Sequence, residues 1–160
     1  MRFALLAALC ACGTVVCGSP ANAQSNNVRI TGLSDVPLGS LGAASDTKLA
    51  QNVCAFSGTA TKGYRVTASG SGSGGAFTLA NGGSTLGYEV QWNGSSGQST
   101  GSNLGANVAL GGFTSAATQQ QCNTGPTTSA SLIVIVRAAE AASATGGNYA
   151  GSLTLVIGPE

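Results

Sequence analysis

The chain of 160 residues contains no histidine. The side chain most used as a general base near neutral pH, and as a metal ligand, is therefore absent. Charge is scarce as well: six Lys and Arg stand against five Asp and Glu, 7% of all residues. There is no basic stripe for nucleic acid and no polybasic tail for an anionic membrane. Asp35 with Asp46, or Glu89 with Glu140, could form a glycosidase-type acid pair, but no motif surrounds them, and they read as solvated surface charge. Serines are plentiful but have no partner base. "GSGSGG" at residues 70–75 lacks the Gly-Lys-Ser/Thr ending and the following helix of a phosphate loop, so it reads as a hairpin loop. No enzyme, metal centre or small-molecule cofactor is expected, and no nucleic-acid partner.

One long apolar run is present, at the start. Arg2 precedes a stretch from Phe3 to Val16 that is broken by Gly13 and Thr14, and Ala21-Asn22-Ala23 fits an A-x-A cleavage site. This pattern is that of a secretory signal peptide over residues 1–23; a membrane anchor is the alternative, for which the run is short. Cys10, Cys12 and Cys17 lack a good lipobox. Removing 23 of the 160 residues leaves 137, enough for a single domain over residues 24–160 with its own core. Without Arg2, five bases oppose five acids. So little charge leaves a free monomer poorly protected from association, which suits a subunit that polymerises.

Of five cysteines, Cys54 and Cys122 remain after the leader. Two cysteines in an exported domain are expected to pair, closing a long loop whose chain-entropy contribution is about 4 kcal/mol. A metal site is the alternative, but no acid lies close to either cysteine to complete four ligands.

Short apolar runs alternate with Gly/Ser/Thr/Asn stretches, and no segment keeps a helical period with good caps. Strands are predicted at residues 27–33, 36–41, 52–56, 64–69, 76–79, 88–92, 107–110, 130–136 and 149–157, with a helical turn at 140–144. "SLIVIV" at residues 131–136 is apolar on both parities, which predicts a central strand covered on both faces. Glycine-rich turns separate most strands, and residues 94–103 read as a mobile loop. The fold class is all-β, a β-sandwich. A hydrophobic content of 42% and a mean hydropathy of +0.24 argue against disorder. Tyr88 and Trp92 share parity with Val90 and could line a sugar-binding face, although core packing is the simpler reading.

In the final strand, Tyr149, Leu153, Leu155 and Ile157 fall on one parity, with Gly151 between them. Together, "VCAFSGTATKGYRVTASGSGSGGAFTL" at 53–79, "LGYEVQW" at 86–92, Cys122 and "GNYAGSLTLVI" at 147–157 resemble pilus subunits of the chaperone–usher pathway. The spore coat protein U-like group, with the archaic and alpha-type pilins, is most similar, and "LSDVPLGSLG" at 33–42 looks like that group's early strand and turn. The resemblance implies an immunoglobulin-like β-sandwich lacking its final strand. It also implies a hydrophobic acceptor groove along the C-terminal strand, with Tyr149, Leu153, Leu155 and Ile157 as one wall. A periplasmic chaperone would fill that groove first, and another pilus subunit's extension later, at an outer-membrane usher. The product would be a surface fibre, structural or adhesive, reached through the periplasm. Val28 and Ile30 belong either to a donor strand or to the first strand of the fold, since few residues precede them. A short extension would fit a tip or non-polymerising subunit. A secreted, self-complete sandwich binding a glycan or other surface ligand is the alternative, with residues 28–33 filling the chain's own gap.

Overall fold

The computed structural model describes residues 26–160, in which apolar and polar residues arranged along the chain build ten strands, with one short α-helix and a three-residue 3-10 turn at Ser73–Gly75. The leader reading of residues 1–23 lies outside them. The strands are β1 (Val28–Thr31), β2 (Thr47–Ser57), β3 (Gly63–Gly70), β4 (Thr78–Asn81), β5 (Ser84–Gly87), β6 (Glu89–Asn93), β7 (Ser102–Asn103), β8 (Ala109–Thr114), β9 (Ala130–Val136) and β10 (Leu153–Pro159). Helix α1 spans Ala138–Ser143. One sheet has the order β1-β2-β9-β6-β7, the second β10-β3-β8, and β4 and β5 form a separate hairpin. All the strand pairs in these sheets are antiparallel. The first two sheets share one core: Val53, Val90, Trp92, Leu132 and Val134 from one side meet Tyr64, Val66 and Ala68 from the other. This is an all-β sandwich.

Strand β9 is the centre. All seven of its residues are buried, because β2 and β6 pair along its edges and both its faces are covered. Part of the cover is the loop at residues 94–103, expected to be mobile. It is tied down instead: Gly97 N–H donates to Asn52 Oδ1 (2.6 Å) and Gln98 N–H to Ser131 Oγ (3.0 Å).

Trp92 and Tyr64 are fully buried. The rings meet edge to face, and the Trp92 indole N–H donates to the Tyr64 hydroxyl at 3.2 Å. Each thereby satisfies a polar atom that burial would otherwise leave unpaired. Burial pushes the Tyr64 hydroxyl pKa up, partly offset by that hydrogen bond. Tyr88 is buried too and packs on Phe77. The two aromatics weighed as a sugar-binding face are core residues.

Strand β2 outruns β9, whose ladder ends at Val53–Ala130. Beyond it, side chains replace the missing backbone partner. The Ser129 hydroxyl accepts from Ala55 N–H (2.9 Å) and donates to the Ala55 carbonyl (2.8 Å), to which the Ser115 hydroxyl also donates (2.6 Å). Here Cys54 is joined to Cys122 by a disulfide with a Cα–Cα distance of 6.0 Å and a sequence separation of 68. Ala117 and Phe56 pack around it.

At the other end, Arg137 clamps three elements. Its Nε and Nη2 donate to the two Glu89 oxygens (2.8 and 2.6 Å), and its Nη1 to Asp46 Oδ2 (2.7 Å). Asp46 Oδ1 also accepts Ala138 N–H (2.9 Å), in the first turn of α1. The Ala138 amide and Arg137 hold the Asp46 carboxyl below its usual range, and Arg137 does the same for Glu89. Glu140 accepts Gly87 N–H (3.2 Å). Three of the four acids considered as catalytic pairs thus serve as structural acceptors.

The strand expected at residues 36–41 is absent. Residues 32–46 form an irregular strap that makes no backbone–backbone hydrogen bond among the described residues. Pro37 has no N–H to donate, and Gly39 sits at φ +64°, outside the extended region. Strand β2 begins at Thr47 rather than 52, and β10 begins at Leu153 rather than 149. Strands β5 and β7 add to those expected.

Reducing the disulfide, or replacing Cys54 and Cys122 by serine, is expected to destabilise the domain by about 4 kcal/mol in denaturant titrations. Tyr64→Phe removes the acceptor of a buried indole N–H and should cost about 1–3 kcal/mol in the same assay. The Arg137 cluster predicts a pH dependence. Carboxyls whose folded pKa is depressed contribute stability above their unfolded pKa and lose it as pH falls through the folded value. The melting temperature should therefore drop on acidification below about pH 4.5. Arg137→Met should flatten that limb, and an unchanged acid limb in the variant would refute the role given to the cluster.

Candidate functional site

Strand β10 lies at the margin of its sheet. It pairs with β3 from Leu153–Gly70 to Pro159–Tyr64, and among the described residues nothing pairs with its other edge. The phase of that ladder decides what the free edge presents. Glu160 N–H donates to the Gly63 carbonyl (3.1 Å) and Ser152 N–H to Ser71 Oγ (3.2 Å). Even-numbered residues therefore turn their backbone groups toward β3. Leu153, Leu155 and Ile157 turn theirs to the open side, because successive residues of a strand point their N–H and C=O in opposite lateral directions. Pro159, which has no N–H, closes the row.

The same three residues direct their side chains inward. Leu153, Leu155 and Ile157 are half-buried against the core, whereas Thr154 and Val156 are exposed on the outer face. Across from them stands β1, the end strand of the other sheet. It pairs with β2 from Val28–Ser57 to Thr31–Cys54. Just before this ladder the Asn27 carbonyl accepts Gly58 N–H (2.7 Å), so the backbone groups of Val28 and Ile30 point to the unpaired side. Strands β1 and β10 approach with Cα atoms within 8 Å, yet share no ladder.

Between strap and β10 lies an apolar cleft of about 300 Å³. Val36 and Leu38 form one wall, Leu153 and Leu155 the other, and Tyr88 and Val134 part of the floor. Ile30 and Leu41 pack half-buried against the same core. A second cavity of about 420 Å³ shares Leu38 and Leu79 with the first and reaches Tyr149. Tyr149 stands outside β10, four residues before it. Its hydroxyl donates to the Thr145 carbonyl (3.0 Å), and the following Ala150 bridges to Ala80 of β4.

Chemically the site offers backbone donors and acceptors in a row, above a half-covered apolar surface. That is the arrangement needed to receive an extended strand: the backbone pairs with the edge and alternate side chains enter the cleft. It offers no nucleophile–base pair. The strap and Ile30 are the parts that sequence patterning does not assign to this wall. Their signal is the apolar spacing of Val36, Leu38 and Leu41, which reads equally well as a strand.

No protein-family model matches the chain, and no curated protein matches it. Among solved structures it is similar to a chain from a study of a chaperone–tip adhesin complex in the biogenesis of CFA/I fimbriae, with 14% sequence identity and a TM-score of 0.51. The match covers 84% of this chain and 43% of that one, so this chain spans less than half of its length. At that identity the likeness establishes a shared β-sandwich fold.

Proposed function

We propose that this chain is a structural or adhesive subunit of a chaperone–usher type surface fibre, assembled by accepting a β-strand along β10. The observation that supports it most is the coincidence of a free strand edge and a half-covered apolar cleft at Leu153, Leu155 and Ile157. The fold shared with a chain of a fimbrial chaperone–adhesin complex agrees with it, as do the pilin-like sequence pieces of the spore coat protein U-like group. The partners in this reading are a periplasmic chaperone, an outer-membrane usher and neighbouring pilus subunits. The route is export to the periplasm and then the cell surface.

A self-complete sandwich that binds a glycan is the other reading. It requires residues 28–33 to fill the chain's own gap. Strand β1 instead pairs with β2, and among the described residues the β10 edge is unpaired, which favours an acceptor.

Two neighbouring substitutions test the acceptor. Leu155→Asp places a charge in the apolar cleft, at a cost of at least several kcal/mol for any strand that seals it. It should abolish co-purification with the cognate periplasmic chaperone and lead to degradation or aggregation in the periplasm. Thr154→Asp, one residue away on the outer face, should be far milder. The wild-type domain purified alone as a stable monomer, with the Leu153, Leu155 and Ile157 amides protected from hydrogen exchange, would overturn the proposal.

A further inference from the structure

The strap at residues 32–46 is held in an unusual way. It makes no backbone–backbone hydrogen bond among the described residues, yet it inserts Val36, Leu38 and Leu41 into the margin of the core. Side chains fix its two ends. Near the first, Gln51 Oε1 accepts both the Ser34 N–H and the Ser34 hydroxyl (3.0 Å each), and Gln51 Nε2 donates to the Ser34 carbonyl (3.3 Å). At the second, Asp46 is held by Arg137 and the Ala138 amide. Between these anchors the contacts with the core are apolar and non-directional. Leu38 sits where the two cavities meet, lining both.

A segment with few buried contacts and no backbone pairing is drawn from the low-stability end of a structure and opens without global unfolding. We propose that residues 35–45 are a displaceable plug: Val36, Leu38 and Leu41 cover part of the acceptor cleft in the unoccupied protein, and an incoming extended strand expels them while the Ser34–Gln51 and Asp46–Arg137 anchors hold. Expulsion joins the two cavities into one longer groove beside β10. The plug thus shields apolar surface until a strand arrives, and the strand must compete with it. This inference rests on the acceptor reading above, but opening of the strap is measurable without any partner.

Gly39 provides a handle. Its φ of +64° suits glycine, and a Cβ there would meet nothing within 4 Å. Gly39→Ala therefore strains the seated strap through its backbone and leaves its packing alone.

The test uses thiol labelling of the folded, disulfide-bonded protein. Val36→Cys reports on the plug, and Val90→Cys, at a core position 1% exposed, reports on global opening. Labelling of Val36→Cys is expected to be faster by on the order of 100-fold or more, as for local rather than global opening. Equal rates would overturn the plug. A synthetic peptide of alternating valine and threonine, long enough to span β10, then serves as the strand. When it binds, protecting the Leu155 amide from exchange, Val36→Cys should label as fast as an unfolded thiol. A bound peptide that leaves Val36→Cys protected would show that the strap is a fixed wall, and would also overturn the plug. Gly39→Ala should raise the peptide's association rate roughly 5- to 30-fold, the factor expected from a left-handed alanine; a fixed wall predicts no acceleration. Failure of the peptide to bind counts against the acceptor reading, and the comparison of free-protein labelling rates then decides the plug by itself.

Discussion

A β-strand alternates twice over, in which face its side chains take and in which lateral direction its backbone groups point. In β10 the two alternations are locked in phase by the pairing of Glu160 with Gly63. Leu153, Leu155 and Ile157 consequently send apolar side chains to the core and backbone donors and acceptors to the same open edge. A one-residue slip against β3 would turn these side chains to solvent and Thr154 and Val156 to the core. The alignment of open backbone groups with apolar side chains depends on that one register, so anything that pairs with the edge also covers the apolar cleft beneath it.

The rest of the sandwich lets one side stay incomplete. Strand β9 is covered on both faces and paired on both edges, the Trp92–Tyr64 contact joins the two sheets through buried rings, and the disulfide ties the β8–β9 loop to β2. The ring contact and the disulfide lie away from the cleft, and β9 supplies only the Leu132 and Val134 part of its floor. Ser115 and Ser129 act to the same end, since their hydroxyls satisfy Ala55 where no strand reaches it. The interior is therefore well satisfied while its margin at β10 is not, and loosening the strap need not loosen the centre.

How much of this is legible in the sequence varies with how local the physics is. The double-sided apolar run of β9 and the alternation of β10 can be read directly, because burial of a face leaves a period of its own. The start of β2 cannot: Lys48, Gln51 and Asn52 interrupt its pattern, and only pairing with β9 makes residues 47–51 a strand. The strap misleads in the opposite direction. Val36 and Leu38 alternate like a strand, but Pro37 and Gly39 deny it backbone pairing, and apolar contact alone seats its middle. That the β10 edge stays unpaired among the described residues is not readable from composition or periodicity. It depends on where β1, at the opposite end of the chain, finds its partner, and β1 pairs with β2. Only the resemblance to pilus subunits points there.

The four margins of the two packed sheets also differ in how they are guarded. Natural edges are commonly blunted by shortness, charge, proline or a bulge. Strand β7 has two residues, β8 carries a register shift and the left-handed Gly112, and β1 has four residues including Arg29. Strand β10 runs for seven residues with no charge, and its one proline comes at the far end. In a chain with so little charge overall, such an edge is a ready template for pairing with another strand. In the proposed reading the strap shields the cleft beside such a strand, and a partner's strand covers the edge itself. The scarcity of charge, the open ladder and the weakly held strap thus support one reading of this margin as a place for β-strand exchange.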